Sequence, residues 1–163
     1  GTPIVPLTRG EVHMLPLRYW HATNGNWVVN REGQILCSQR SLQCEGNPGK
    51  WQTTFGGHVK AGSNWRDSAV DELEEEIGLK VQAKDLHLIE KGKSEEAKHF
   101  VERFMYLYEY DQQLKFSDGE VIAAQWMTMA EYFLAKAAKV DQWCNGLSKE
   151  SARAIRDHLA MIL

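Results

Sequence analysis

Residues Gly56 to Leu79 read GGHVKAGSNWRDSAVDELEEEIGL, and this stretch decides the fold. Four of its last eight residues are glutamates. Like charges at helical spacing cost about 0.2–0.5 kcal/mol per pair, so a surface helix gains nothing from this density. Glu72, Glu75 and Glu76 are spaced i, i+3 and i+4 and therefore share one helix face. Three carboxylates on one patch form a site suited to a hard divalent cation such as Mg²⁺.

The residues around the glutamates predict the limits of this helix. Asn64 is a favourable N-cap, with Asp67 at the third helical position, and Gly78 is typical of the residue that follows a helix end. The apolar residues of the helix recur every four positions, which predicts a stripe facing the core. These residues are Trp65, Ala69, Leu73 and Ile77.

The same stretch resembles the Nudix box, G-x5-E-x7-R-E-U-x-E-E-x-G-U, where U is a bulky aliphatic residue. Ser63 stands where the box has its first Glu, and Asp71 stands where it has Arg. The resemblance implies an α/β fold, the α/β/α sandwich of Nudix proteins with a mixed β-sheet, as a single domain over residues 1–163. The matching positions are Gly57, Glu72, Leu73, Glu75, Glu76, Gly78 and Leu79.

The resemblance also implies a function, the Mg²⁺-dependent hydrolysis of a diphosphate linkage in a nucleoside diphosphate derivative or a similar small molecule. Mn²⁺ is the alternative metal ion. Glu72, Glu75 and Glu76 are the expected metal ligands, and Glu72 also helps to position or deprotonate the attacking water. Glu120, which precedes Val121, resembles a Glu-Val element of the family; it is either a further ligand or base, or a solvated turn residue. The expected catalytic residues are Glu72, Glu76 and Glu120.

The two departures from the box bear on activity more than on fold. In the family the box Arg orients the first catalytic Glu, which Asp71 cannot do. Arg66, Lys60 and Arg103 are the candidates to balance the charge of Asp71, and the sequence does not choose among them. We expect an activity that is reduced or retuned rather than lost.

Basic and aromatic residues outside the box are candidates for substrate contacts. Arg40 resembles a Gln-Arg strand end of the family and is the first choice for the phosphates, although a single basic residue is more often a solvated surface charge. Trp20 and Trp51 could stack on a base, but core packing is the favoured role for both. The expected substrate-binding residues are Arg40, Lys50, His58, Lys60 and Glu102.

A longer segment, from Ile35 through the Pro48-Gly49-Lys50-Trp51 run to Val59, resembles the branch of the superfamily that contains isopentenyl diphosphate isomerase. By this resemblance His21 and His58 fall where the isomerase binds metal, and Glu102 falls near its carboxylate ligands. The isomerase needs a cysteine directly before its Gly-His pair, and Gly56 stands there in this chain. Ordinary polar contacts are the favoured role of the two histidines.

The remaining sequence predicts strands flanked by helices. Residues 1–18 are expected to begin as an irregular arm. Strands are expected within 20–30, 34–40, 51–59, 86–90, 99–110 and 121–127, with a polar loop at 41–50 and a turn at 117–119. Helices are expected to begin after Thr128, whose segment has the form of a capping box, and after Ser148. They should end near Lys139 and Ile162.

Composition narrows the class of protein. The formal net charge is −3, so no basic excess points to nucleic acid, and no apolar run is long enough for a membrane span. The N-terminal residues lack the pattern of a signal peptide, and three cysteines without metal-site spacing favour reduced thiols in the cytoplasm. A small-molecule partner is expected, and a homodimer remains open. The alternatives to a hydrolase are a Nudix-fold binding module and an isomerase-like enzyme.

Overall fold

The computed structural model describes residues 7–15, 18–110, 112–116, 119–144 and 146–163, without the side chain of Arg9. Residues 1–6 and 16–17 of the expected arm and residues 117–118 of the expected turn lie outside these ranges. Within the arm the chain forms one short helix, where an irregular segment was expected. The helices are α1 (Arg9–Val12), α2 (Trp65–Ile77), α3 (Met129–Ala138) and α4 (Lys149–Ile162).

Six strands form one mixed sheet. The order is β3-β2-β1-β5-β4, and β6 also pairs with β2. The β1–β5 pair is parallel, and the other pairs are antiparallel. The strands are β1 (His21–Val29), β2 (Gln34–Arg40), β3 (Trp51–Gln52), β4 (Leu86–Ser94), β5 (His99–Leu107) and β6 (Val121–Thr128).

Alternating side chains on the central strands divide the core into two layers. In β1, Val28 packs with the α2 stripe, whereas Trp27 and Val29 pack on the opposite face with residues of α3 and α4. This follows from strand geometry, because neighbouring side chains point to opposite faces. The sheet therefore lies between α2 on one side and α3 and α4 on the other, which confirms the expected α/β/α sandwich.

Three strands differ from the expected limits for identifiable reasons. The strand expected at 86–90 continues to Ser94, because β4 pairs with β5 as far as that residue. The expected strand at 99–110 ends at Leu107, because its parallel partner β1 ends at Val29. The apolar segment 51–59 forms only the two-residue strand β3, followed by single bridges from Phe55 and His58 to β1. Between those bridges Gly56 passes very close to Gly25 of β1. A Cβ atom added to Gly56 would lie 2.8 Å from the Cα atom of Gly25.

The helix limits agree closely with the capping residues. Asn64 accepts a hydrogen bond from the backbone N–H of Asp67, and Gly78 adopts the left-handed conformation with φ of 68°. Thr128 and Glu131 form a full capping box at the start of α3, and Ser148 caps α4. Among the described helices, none has the length and apolar character needed to cross a bilayer.

Candidate functional site

An open cleft of about 1250 Å³ lies where the C-terminal half of α2 and the segment before the helix face the loop at 41–50. Its walls come from that loop, from residues 52–61, from one face of α2 and from the start of β6. Most of the lining side chains are polar or charged. Sequence reasoning identified the glutamates of α2 and the basic residues, but it missed several polar residues of the 41–50 loop and of the segment around β3, because no motif marks them. The missed polar residues include Gln43, Glu45, Asn47, Gln52 and Thr54.

Buried asparagines of β1 fix the segment that forms the floor of the cleft. The Asn26 side-chain amide donates to the carbonyl of Phe55, at 3.1 Å, and to that of Ala69 in α2, at 3.2 Å. The Asn24 backbone N–H donates to the carbonyl of Gly57, at 2.9 Å. Residues 55–57 are therefore held between β1 and α2, next to the glutamate face of the helix.

Glu72, Glu75 and Glu76 all line the cleft, as their shared helix face predicts. We call these three residues the carboxylate group. The nearby Glu74 is exposed and pairs with Lys80, at 3.4 Å, outside the cleft. The i, i+3, i+4 spacing thus separates the three cleft-facing carboxylates from their neighbour on the same helix turn.

Glu76 is the most deeply placed of the three, with 7% of its surface exposed. Its Oε1 atom accepts a hydrogen bond from the backbone N–H of Gly56, at 2.7 Å. Burial raises the pKa of Glu76 to about 8, and the charges of Glu72 and Glu120 act in the same direction. The single N–H donor opposes this effect without cancelling it, so the ionised form of Glu76 is costly unless a cation is present.

Glu72 lies directly beside the glycine of the floor. A Cβ atom on Gly57 would lie 2.9 Å from the Cδ atom of Glu72, so a larger residue would displace this carboxylate from its present position. Burial raises the pKa of Glu72 to about 7, and the nearby Glu75, Glu120 and Asp71 charges add to the rise. The positive charge of Lys60 partly opposes it.

These features fit a bound divalent cation. The donors are carboxylate oxygens, which are the ligands that Mg²⁺ and Mn²⁺ prefer. Two of the three carboxylates are desolvated and repel each other, and a cation between them would remove both costs. An acidic surface without a ligand does not account for the raised pKa values of Glu72 and Glu76, because the pKa of a solvated glutamate stays near its ordinary value.

Comparison with known proteins decides the family. A sequence profile of the NUDIX domain matches residues 20–144, which is most of the chain. The chain belongs to the Nudix family.

Individual relatives are more distant. An uncharacterised Nudix hydrolase of Clostridium acetobutylicum is 34% identical over 82 residues, which are 48% of this chain and 38% of that protein. The isopentenyl-diphosphate Delta-isomerase of Escherichia coli is 27% identical over 81 residues, covering 50% and 44% of the two chains. The matches thus span less than half the length of either relative.

A solved structure confirms the fold. The Deinococcus radiodurans protein DR0079 superposes with a TM-score of 0.65 over 89% of this chain and 88% of that chain, at 16% identity. At this identity the likeness concerns the Nudix fold alone.

The two departures from the Nudix box lie at the surface. Asp71 is exposed. Within the part of the chain that the structure describes, it forms no ion pair with Arg66, Lys60 or Arg103. Arg66 donates to the carbonyls of Ala83 and Leu86, Arg103 pairs with Glu90, and Lys60 pairs with Glu75 at 3.8 Å. The other departure, Ser63, is exposed and closes a turn on the Lys60 carbonyl at 3.0 Å.

The structure brings several of the predicted Nudix site residues to the cleft. Arg40, His58, Lys60 and Glu120 all line it with the carboxylate group. Arg40 reaches Glu120 with 3.7 Å between Nη2 and Oε2. The predicted set is therefore largely assembled in space, although its members come from four separate segments.

Two predicted substrate-binding residues do not line the cleft. Glu102 lies on β5 and pairs with Lys91 of β4, at 2.7 Å. Lys50 is half-buried at the end of the loop and is likewise absent from the described lining. The strand alternation of β5 and the return of the loop toward β3 direct these two side chains elsewhere.

The two tryptophans considered for base stacking pack against other residues. Trp51 lies 6.0 Å from Trp143, measured between ring centroids, and joins the core beneath α3 and α4. Trp20 stacks on Phe100 at 4.8 Å, with the ammonium groups of Lys93 and Lys98 over its ring. Neither lines the cleft among the described residues.

A cluster of histidines lies beside the carboxylate group, and we call it the imidazole group. One nitrogen from each of His13, His21 and His58 lies within 4.8 Å of the others. The Nε2 atoms of His13 and His58 are 2.8 Å apart. Burial and the neighbouring His13 and His99 lower the pKa of His21. Sequence reasoning identified His21 and His58 but missed His13, which no motif marks. Neutral imidazoles at this spacing could hold a transition-metal ion.

Proposed function

We propose that this Nudix protein is a Mg²⁺-dependent hydrolase of a diphosphate linkage in a small molecule. The observation that carries the proposal is the carboxylate group itself. Glu72 and Glu76 are desolvated, lie on one face of α2 and line the cleft beside the Gly56-Gly57 floor. Desolvation of this kind is costly in a protein that does not use it, and perturbed carboxylates in a cleft are typical of functional sites.

The roles of the residues follow from their positions. Glu72, Glu75 and Glu76 would hold the ion, which supplies charge neutralisation for the diphosphate and a more acidic water when bound. Glu120 stands opposite the helix and is placed to act as a further ligand or as a base toward the attacking water. Lys60 and His58 present donors on the same wall and are placed to meet phosphate oxygens.

The test is turnover of a panel of diphosphate compounds with Mg²⁺ and with Mn²⁺. The panel should contain nucleotide sugars, dinucleotides, modified nucleotides and coenzyme A derivatives. The expected result is cleavage of at least one compound, lost on addition of chelator and lost in Glu76→Gln. Metal binding with no cleavage of any compound would favour a binding module, which the exposed Asp71 in place of the box Arg also favours.

The imidazole group favours a second candidate, an isomerase-like enzyme. Three imidazoles meet where the resemblance to isopentenyl diphosphate isomerase places metal-binding histidines. Gly56 stands in the position of the isomerase cysteine, and the described cysteines lie elsewhere, so the proton-transfer thiol is missing from that position. The two candidates differ in products. An isomerase moves a double bond and releases no phosphate, which NMR of an isoprenoid diphosphate incubated with the protein distinguishes.

A further inference from the structure

The described contacts of Arg40 join three segments of the cleft wall. Its Nε atom donates to the carbonyl of Gly46 in the loop, at 2.8 Å. Its Nη1 atom donates to the side-chain oxygen of Gln52 in β3, at 3.1 Å. Its Nη2 atom faces Glu120 at 3.7 Å, and only 19% of the side chain is exposed. Two of the three guanidinium nitrogens of Arg40 thus donate to protein acceptors, and the third faces the Glu120 carboxylate.

The backbone around Glu120 is tied to the same loop. The carbonyl of Glu120 accepts from the backbone N–H of Ser41, at 2.7 Å, and from the thiol of Cys44, at 3.6 Å. Arg40 and Glu120 therefore belong to one connected unit formed by the end of β2, the loop and the start of β6. Any shift of Arg40 relative to the loop is transmitted to the side of the cleft that faces α2.

An irregularity in the strand pairing sets this arrangement. Gln39 pairs with Ala123, but Arg40 pairs with Val121, so Ile122 of β6 is left as an extra residue between the two pairs. Bulges of this kind redirect side chains and are common next to active sites. Here the extra residue, Ile122, follows Glu120 by two positions, at the end of the β2–β6 pair where Arg40 and Glu120 line the cleft.

We propose that Arg40 is a positioning residue that holds Glu120 and the 41–50 loop against the carboxylate group, rather than a direct ligand of the substrate phosphates. The inference rests on the proposed metal site of the hydrolase. It replaces the expectation that Arg40 meets the phosphates first. Its consequence is specific: loss of the fork should weaken metal binding before any substrate is present, because Glu120 acts on the ion through its position.

The experiment measures Mn²⁺ affinity without substrate, by electron paramagnetic resonance, in Arg40→Lys, Glu120→Gln and the double variant. Arg40→Lys keeps the charge and removes the fork. We expect its Mn²⁺ affinity to fall about 10-fold, the usual effect of removing a group that orients a metal ligand. The double variant should bind no more weakly than Glu120→Gln alone. Arg153→Lys in α4, whose partner is Asp157, is the matched control and should leave the affinity unchanged.

The outcomes separate the two roles. If Arg40 contacts phosphate directly, Arg40→Lys will leave Mn²⁺ affinity unchanged and raise KM for a cleaved diphosphate, which overturns the proposal. Additive losses in the double variant would also overturn it. Should Arg40→Lys fail to fold, Gln52→Met removes a single tether of the guanidinium and is expected to weaken Mn²⁺ binding in the same direction.

The proposed hydrolase can fail separately. Wild-type protein that binds Mn²⁺ but cleaves no panel compound contradicts hydrolysis, while the affinities of the variants still decide the role of Arg40. Wild-type protein that binds no Mn²⁺ overturns both proposals.

Discussion

The carboxylate group and two members of the imidazole group, His21 and His58, line the same cleft, yet the chain assembles the two groups in different ways. The three carboxylates come from a little over one turn of α2, so their relative positions follow from helix geometry. The three imidazoles come from the N-terminal segment, from the start of β1 and from the segment before α2, and they meet only in the folded protein. Oxygen donors suit Mg²⁺ and imidazoles suit transition metals, so the two groups should select different ions.

Burial acts on both groups in the same way but has opposite consequences for metal binding. It disfavours charge, so it raises the pKa of Glu72 and Glu76 and lowers the pKa of His21. A carboxylate must lose its proton to bind a metal ion, whereas a neutral imidazole is already in its binding form. The His21 imidazole should therefore be available to a metal ion at a lower pH than the Glu72 and Glu76 carboxylates.

The largest effect should come from Glu76→Gln. The substitution preserves size and can keep the acceptor for the Gly56 N–H, but it removes a buried charge that the metal ion needs. Mg²⁺-dependent turnover should fall by about 10³-fold, because a bound ion contributes several kcal/mol of charge stabilisation. Steady-state rates measure this, and Glu74→Gln on the same helix is the matched control. Equal activity in the two variants would contradict the assignment of the carboxylate group.

Gly57→Ala tests whether the carboxylate group depends on the cleft floor. The added Cβ displaces the end of the Glu72 side chain. Because this end is flexible, the stability of the protein should change little. Turnover should fall about 10-fold or more, as expected when a metal ligand loses its orientation. Rates and thermal melts measure the two effects. Gly10→Ala is the control, since a Cβ there meets nothing within 4 Å. Turnover that stays at the wild-type level would show that Glu72 does not need its present position.

His21→Gln tests the imidazole group separately. Removal of one of three nitrogen ligands should lower Co²⁺ affinity by more than about 10-fold, since a lost ligand costs at least as much as a lost orienting partner. The visible absorption of bound Co²⁺ measures it, with Mg²⁺-dependent rates recorded in parallel. His87→Gln is the control, because His87 pairs with His158 outside the described cleft lining. Co²⁺ binding that survives in His21→Gln would mean that the imidazoles do not act as one site.

The smallest effect is the pH dependence of stability without metal. Between pH 5 and 8 the folded protein holds a proton on Glu76 that the unfolded chain, with its ordinary pKa of 4.5, has released. Stability contributed by this proton falls as the pH rises through that window, and the apparent Tm should drop by about 2–4 °C for each kcal/mol lost.

His21 changes the stability in the opposite direction, because its lowered pKa makes the folded protein release this proton at a lower pH than the unfolded chain does. The experiment must therefore isolate the contribution of Glu76. The difference in Tm between wild type and Glu76→Gln should change with pH in metal-free buffer. A difference that stays constant from pH 5 to 8 would contradict the raised pKa of Glu76.

Features set by local geometry could be predicted from the sequence. The limits of α2, α3 and α4 follow from capping residues, and the carboxylate group follows from a fixed spacing on one helix. These features depend on contacts within a few residues of the chain, which a sequence pattern records directly.

Features set by distant contacts could not be predicted. His13 joins the imidazole group only because the N-terminal segment packs near β1 and His58. Arg40 resembled a phosphate ligand, but its contacts with Gly46 and Gln52 depend on how the loop returns to β3. Glu102 alternates on β5 toward Lys91, and no pattern in β5 alone identified that partner.

The parallel pairing of β1 with β5 has a consequence for how the protein folds during synthesis. His21 is aligned with His99, and Val29 with Leu107, so the central pair of the sheet cannot form until β5 has left the ribosome. The β1–β2 hairpin and α2 are made earlier, and the apolar stripe of α2 stays partly uncovered until Phe104 and Tyr106 of β5 complete the layer beneath it. Such non-local pairing slows folding and prolongs the exposure of apolar surface. The cleft therefore cannot be complete before β5 is made, although that strand carries no member of the carboxylate group.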